Sequence, residues 1–531
     1  MSTSRFYDRV RNLTLHLAEI PSVNGTQGEA EVLEDAYGLL QAHPLARHAL
    51  RVFKGEDERG RPAFVLAHLR GGGARAVLQF GHIDTVGIDD YGPMRPLAFQ
   101  PRELTRRIGD GALGPELGGL ARSGQWLFGR GVLDMKAGVA ATLAVLEHFA
   151  RQPETGHLLV ALTADEEAGS KGIRALTKFL APYLAEEGLH LAGIINTDAT
   201  GPRPGRSGTN DRFVYSGSVG KLLPCAYVRG VPSHVGEPES GLDPDFVLAE
   251  ITRRVVYRES LRDGRGEERT AFPVSLGARD DKQSYDVQTP LAAVGCYNVL
   301  YVERTPAQVL AAFRAIAEEA ALAAQRALAD AFGDWPELRV YTLDELVRMA
   351  DRLGVWSDLK AALGRDLFGA TGPAPRIRAV ETLADTVLGH EAAVVLFFGN
   401  GLVPKVSTAA GEREAMERLL AEHSTETGNL YRQDRFFPLI SDLSFVAASE
   451  DWQDDAFWAN DPVAAVLGPE AGPSLVADAV FMIGPHGEGA HRVDERLYMP
   501  YSFEDVPELL VRLTGRLWSA GALRIPRGGR A

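Results

Sequence analysis

Cysteine is nearly missing from this chain: 531 residues contain two, Cys225 and Cys296, far apart and in no metal-like spacing. That excludes a disulfide-stapled scaffold and a cysteine-rich zinc module, and it suits a reduced, intracellular compartment. Long apolar runs are missing too. The N-terminal stretch MSTSRFYDRVRNLTLHLAEI has neither a signal-peptide core nor a membrane span. It reads instead as an amphipathic helix, with Val10, Leu13, Leu17 and Ile20 at helical spacing. The expectation is a cytoplasmic protein with no membrane partner. Basic residues are outnumbered, 56 Lys and Arg against 71 Asp and Glu, giving a formal charge of −15. A nucleic-acid partner needs a basic footprint, so that class is excluded, while a small substrate is not. No internal repeat or low-complexity tract occurs.

What remains is an ordinary globular composition, 45% hydrophobic and 24% charged, on a chain too long for one core. Over residues 1–215, helical patterns (GEAEVLEDAYGLLQAH, AGVAATLAVLEHFARQ) alternate with short apolar runs (PAFVLAHL, RAVLQFGH, HLLVALTA, AGIINTDA). Such alternation predicts an α/β fold with a mostly parallel sheet flanked by helices. Residues 216–403 change texture: strand-like KLLPCAYVRG, TAFPVSLGA and AAVGCYNVLYV are interspersed with two helical stretches. They predict a small α+β domain with one sheet face covered, a mainly helical insertion at 343–390, and a last strand from VVLFFGNG. Residues 404–531 return to helix, loop and strand.

In open α/β sheets functional groups gather beyond the carboxyl ends of strands, and four polar segments fall there: GHIDT, GVLDMKAG, ADEEAGS and NTDAT. His82 and Asp84 share a face two residues apart. Either they are a hydrogen-bonded polar strand end, or Asp84 fixes the tautomer of a metal-binding His82. Asp134, before an apolar helix, is an N-cap or a ligand, and Asp198 is a turn acid or a ligand. The run Asp165-Glu166-Glu167 poses the sharpest choice. A solvated helix start explains one or two acids through the helix dipole. It does not explain a buried-looking strand aimed at three. If a divalent cation lies there, one Glu binds it and its neighbour stays free as a base. In PHGEGAHRVDE, His486 and His491 are both candidates. A His/Asp/Glu/Asp/His set suits zinc, with cobalt or manganese as substitutes. Five ligands are too many for one catalytic zinc and fit two metals sharing a carboxylate better.

The order GHIDT, GRGVLDMKAG, ADEEAGSKG, NTD and GAH resembles the co-catalytic zinc exopeptidases that include aminoacylase, glutamate carboxypeptidase and succinyl-diaminopimelate desuccinylase. The N-terminal IPSVNGT and the stretch SGSVGKLLPCAYVRGVPSHVGEPESG belong to the same resemblance. The long form, with FFPLISDLSF and GEGAHRVDERLYMPYSFED, looks most like the RocB-type arginine-utilisation branch. The resemblance implies a zinc-exopeptidase-like catalytic domain in two parts, 1–215 and 404–531. Between them it implies an inserted, ferredoxin-like lid or dimerisation domain, 216–403.

It also implies roles. His82 and Asp198 would bind one metal, Glu167 and His491 the other, and Asp134 would bridge both before a cis peptide to Met135. Asp84 would orient His82, Glu166 would be the general base, and His234 of the lid would reach the tetrahedral intermediate, often from a neighbouring subunit. Asp442 would be the acid near the substrate end of the cleft. The family's lid arginine, which binds a substrate carboxylate, corresponds here to Leu300, with Arg304 a few residues on.

The function implied is hydrolysis of an amide bond in a small peptide or N-acyl amino acid, using two divalent ions, with a homodimer through the lid. Two other readings stay open: a single-metal enzyme, and a non-catalytic metal- or amino-acid-binding regulatory protein on the same fold.

Overall fold

The computed structural model describes residues 5–44, 49–152, 156–201, 211–266, 268–473 and 475–519. The chain divides into two compact units, Met1–Ser218 with Val406–Ala448 and Pro473–Ala531, and Val219–Lys405 with Ser449–Gly472. The sequence placed all of 404–531 in the first unit. Residues 449–472 cluster instead with the second, where Phe457 and Trp458 join its apolar core.

The first unit is built on an eight-stranded sheet. Its strands in chain order are β1 (Leu50–Glu56), β2 (Pro62–Leu69), β3 (Arg75–His82), β4 (His157–Thr163), β5 (His190–Asn196), β6 (Asp211–Tyr215), β7 (Leu430–Asp434) and β8 (Val480–Met482). They lie in the order β1-β2-β4-β3-β5-β8-β6-β7. The central β4-β3-β5-β8 block is parallel, and β1, β2 and β6 supply antiparallel pairings. Strand β4 is buried at every residue, as expected of a strand covered on both faces. Val65, Val77, Leu158 and Val160 pack with helices Tyr7–Ala18, Ala137–Ala150 and Val506–Ser519. Neighbouring Phe64 points the other way and meets Phe179 of helix Lys171–Glu186, ring centroids 5.6 Å apart. Parallel β3, β4 and β5 therefore end together, and the motif residues follow those ends.

The second unit carries a six-stranded sheet. Its main order is Val274–Asp280, Ala292–Tyr301, Pro224–Arg229, Ala393–Phe398, Arg339–Thr342, with Gly220–Leu222 pairing the end of Ala292–Tyr301. The strand expected from VVLFFGNG lies inside this sheet. One face is covered by helices Pro244–Val255 and Pro306–Phe332 through Ala226, Val228, Leu396 and Phe398. The expectation of a single covered face is corrected. Tyr227, Val395 and Phe397 on the opposite face pack with Leu346, Val380 and Leu383 of helices Leu343–Arg352 and Pro373–Leu388. The helical insertion is thus the second layer of a sandwich, held by burial of apolar area. On that face Cys225 and Cys296 stand directly opposite on antiparallel strands, their sulfurs 2.6 Å apart as free thiols. No helix among the described residues is long and apolar enough to cross a membrane.

Candidate metal centre

His82 closes β3 and is buried. Its Nδ1 faces the backbone carbonyl of Asp84 at 3.1 Å. A carbonyl only accepts, so Nδ1 carries the proton and Nε2 is left to face the cluster. That Nε2 lies 3.0 Å from Asp134 Oδ1 and 3.9 Å from Asp198 Oδ1. The Asp84 carboxylate is 3.6 Å from Nδ1, beyond a good hydrogen bond. Its shorter contacts are to the acid loop. Oδ1 accepts from the Glu166 N–H at 3.2 Å, and Oδ2 accepts from the Glu167 N–H at 3.1 Å and from Asn24 at 3.0 Å. One buried carboxylate therefore ties the end of β3 to the loop after β4.

Asp134 sits between Gly131, in the left-handed region at φ 77°, and helix Ala137–Ala150. The Asp134–Met135 peptide is cis, as the resemblance implied. The carboxylate presents its oxygens to different partners, Oδ1 to His82 and Oδ2 to His491 Nε2 at 3.2 Å. His491 Nε2 also lies 3.1 Å from Glu167 Oε1. Three groups have donor atoms within 4.8 Å of one another: His82–Asp134–Asp198, Asp134–Glu167–His491 and His82–Glu166–Glu167. Asp134 belongs to two of them. His486, the rival histidine, packs instead against the rings of Tyr498 and Tyr501.

Electrostatics shows what this cluster needs. Burial drives the Asp198 carboxyl up to about 8, with Asp134 adding to the shift, and drives Glu166 well above the usual carboxylate range. For Asp134 burial is outweighed by His491 and His82, which hold it below the ordinary range. Hydrogen bonds to Asp134 and Glu167 raise His491 to about 10. Burial alone would depress His82, yet Asp134 and Asp84 hold it well above its ordinary value. Protons taken up by carboxylates and imidazoles alike are the signature of a site short of positive charge. Nitrogen and oxygen donors grouped this closely fit divalent cations.

Two supporting groups, Glu29 and Lys136, carried no signal in the sequence, whereas Asp442 was expected near the substrate end of the cleft. Glu29, inside an amphipathic helix, accepts from the Asp165 N–H at 2.7 Å and braces the residue that enters the acid loop at φ 67°. Lys136 is buried and donates to the carbonyls of Leu17 and Ile20, burial lowering it to about 7. Asp442 is 2% exposed, accepts from the Thr163 hydroxyl at 3.2 Å, and is pushed up to about 7 by burial. Its charge is among those that raise Glu166.

His234 and Arg304 belong to the second unit. His234 is exposed, and its Nδ1 accepts from the Gly236 N–H at 3.1 Å, so Nε2 carries the proton outward. Arg304 donates from Nη2 to the Ser260 carbonyl at 2.9 Å, and its backbone N–H donates to Asp263.

Residues 80–515 match peptidase family M20/M25/M40. The chain is 29% identical to protein RocB of Bacillus subtilis (strain 168) over 543 residues, spanning 96% of this chain and 95% of RocB. It is 28% identical over 249 residues to succinyl-diaminopimelate desuccinylase of Cereibacter sphaeroides, spanning 46% of this chain and 56% of that one. Among solved structures, the aminopeptidase PepT from Bacillus cereus superposes with a TM-score of 0.52 at 13% identity, covering 96% of this chain and 98% of PepT.

Proposed function

Because the chain belongs to peptidase family M20/M25/M40, we propose that it hydrolyses an amide bond, peptide or N-acyl, in a small amino-acid derivative. The observation that carries this reading is the divided carboxylate of Asp134, one oxygen toward His82 and the other toward His491. His82, Asp134 and Asp198 would hold one divalent ion, and Asp134, Glu167 and His491 a second. Zinc suits these donors best, with cobalt or manganese as substitutes. Such a pair of ions supplies Lewis acidity, polarising the scissile carbonyl and lowering the pKa of a water towards about 7.

Glu166 belongs to neither of those two triads. Its backbone is pinned by Asp84 while its side chain lies beside His82. Its role is to take a proton from the attacking water and deliver it to the leaving nitrogen. His234, with its Nε2–H turned outward, donates to the oxyanion as the carbonyl becomes tetrahedral. Asp442, beside the Thr163 hydroxyl and among the charges acting on Glu166, would accept from a donor group of the substrate. Arg304 Nη1 makes no hydrogen bond and would hold a substrate carboxylate. The likeness to the RocB-type branch directs the substrate search to arginine- and ornithine-containing amides.

Self-association is assigned to the second unit. Strand Val274–Asp280 is a sheet edge with five of seven residues exposed, Leu276 among them, and Tyr285 and Val287 after it are also exposed. A long open edge is a pairing surface, and sedimentation of the full chain should show a dimer.

The activity test is a panel of dipeptides, N-acyl amino acids and arginine or ornithine amides, given to the metal-loaded protein. Hydrolysis of at least one class, lost in Glu166→Gln with metal retained, supports the proposal. No turnover at full metal occupancy would instead favour a binding protein on this fold.

A further inference from the structure

One buried acid near the cluster is no part of it. Glu495 is 0% exposed and lies four residues beyond His491 on the same loop. Its two oxygens do different things. Oε2 accepts from Arg130 Nη1 at 2.7 Å, and Arg130, itself 1% exposed, also donates to Asp90 at 3.0 Å and stacks over Tyr91. Oε1 accepts from two successive backbone N–H groups, Leu133 at 3.2 Å and Asp134 at 3.4 Å. The backbone of Glu495 is itself held, its N–H donating to the Arg492 carbonyl and its carbonyl accepting from Gly129. One carboxylate thus joins the segment bearing His491 to the segment bearing Asp134.

We propose that Glu495 is a positioning residue: by gripping the Leu133 and Asp134 amides it sets where the Asp134 carboxylate stands between His82 and His491. The inference rests on the reading of Asp134 as a shared ligand. Arg130 serves a separate end, balancing the buried charge of Glu495. A carboxylate lacking such a partner would be costly to bury. The two contacts can be separated by substitution, because a long guanidinium can follow a shortened acid whereas the two peptide groups cannot.

The test uses the full chain with cobalt(II) as probe, following the visible absorption of the bound ion and the number bound by equilibrium dialysis. Glu495→Gln keeps the reach to both amides and loses the charge facing Arg130. Glu495→Asp keeps the charge and loses the reach. The expected result is that Glu495→Asp weakens cobalt binding by about tenfold or more and alters the spectrum, whereas Glu495→Gln stays within about threefold of wild type. Thermal melting should rank them the other way, Glu495→Gln below Glu495→Asp, because only the former leaves Arg130 without its buried partner. Cobalt affinity that follows the melting order overturns the proposal and leaves Glu495 as a structural partner of Arg130. A wild-type chain that binds no cobalt overturns the shared-ligand reading beneath it as well.

Discussion

A carboxylate has two oxygens, and Asp134 sends each to a different imidazole; the chemistry proposed here starts from that division. Glu166 is next to a ligand in sequence but is assigned a separate task, so Glu166→Gln should lower turnover by roughly 10²–10⁴-fold, the usual weight of a general base. Metal content, measured on the same sample, should be unchanged. Gly138 shows how closely the backbones meet: a Cβ there would collide with the carbonyl oxygen of Thr197, the residue before Asp198. Gly138→Ala should therefore cost about 1–3 kcal/mol in a denaturant titration and weaken metal binding with it. At this scale the sequence was informative wherever a motif is one short stretch after a strand, as with His82, Asp134, Glu167 and Asp198. It was silent on Glu29 and Glu495, because an acid that grips backbone amides from a distant segment looks the same in sequence as a solvated one.

Strands that announced themselves are those buried on both faces, such as HLLVALT, which is apolar almost throughout. Leu50–Glu56 and Leu430–Asp434 escaped notice because they lie at the two edges of the large sheet, and edge strands carry charge. The helical stretch 343–390 was legible as helices but not as a layer, since what it covers is assembled from strands on both sides of it in the chain, Pro224–Arg229, Ala292–Tyr301 and Ala393–Phe398. Pairing also gives the cysteines a new meaning. Residues directly opposite on antiparallel strands have Cα atoms about 4.5–5.5 Å apart, inside the range a disulfide spans. Incubating the folded protein with oxidised glutathione should remove two hydrogens from its mass and leave no thiol titratable in denaturant. Two thiols still titrating after prolonged exposure would contradict that pairing.

The whole molecule carries a formal charge of −15, counted with its histidines neutral. Histidines outside the cluster contribute one share of its response to acid. Burial lowers His68 and His423 to about 4 and His486 to about 3. An unfolded histidine takes its proton near 6.5, so these groups favour the folded state above that pH, and the advantage is lost as pH falls from about 6.5 toward 4. For His68 alone this is on the order of 3 kcal/mol. In metal-free protein the raised carboxyls of Asp198, Glu166 and Asp442 act in the opposite sense, so the check is differential: the melting temperature of His68→Phe relative to wild type should rise as pH falls across that window.

The measurement that bears most directly on the account is metal stoichiometry. Elemental analysis of the zinc-loaded, dialysed full chain should give two ions per chain, one after His491→Ala, and neither held tightly after Asp134→Ala. A wild-type chain holding one ion or none, or an Asp134→Ala chain that still holds two, would contradict it.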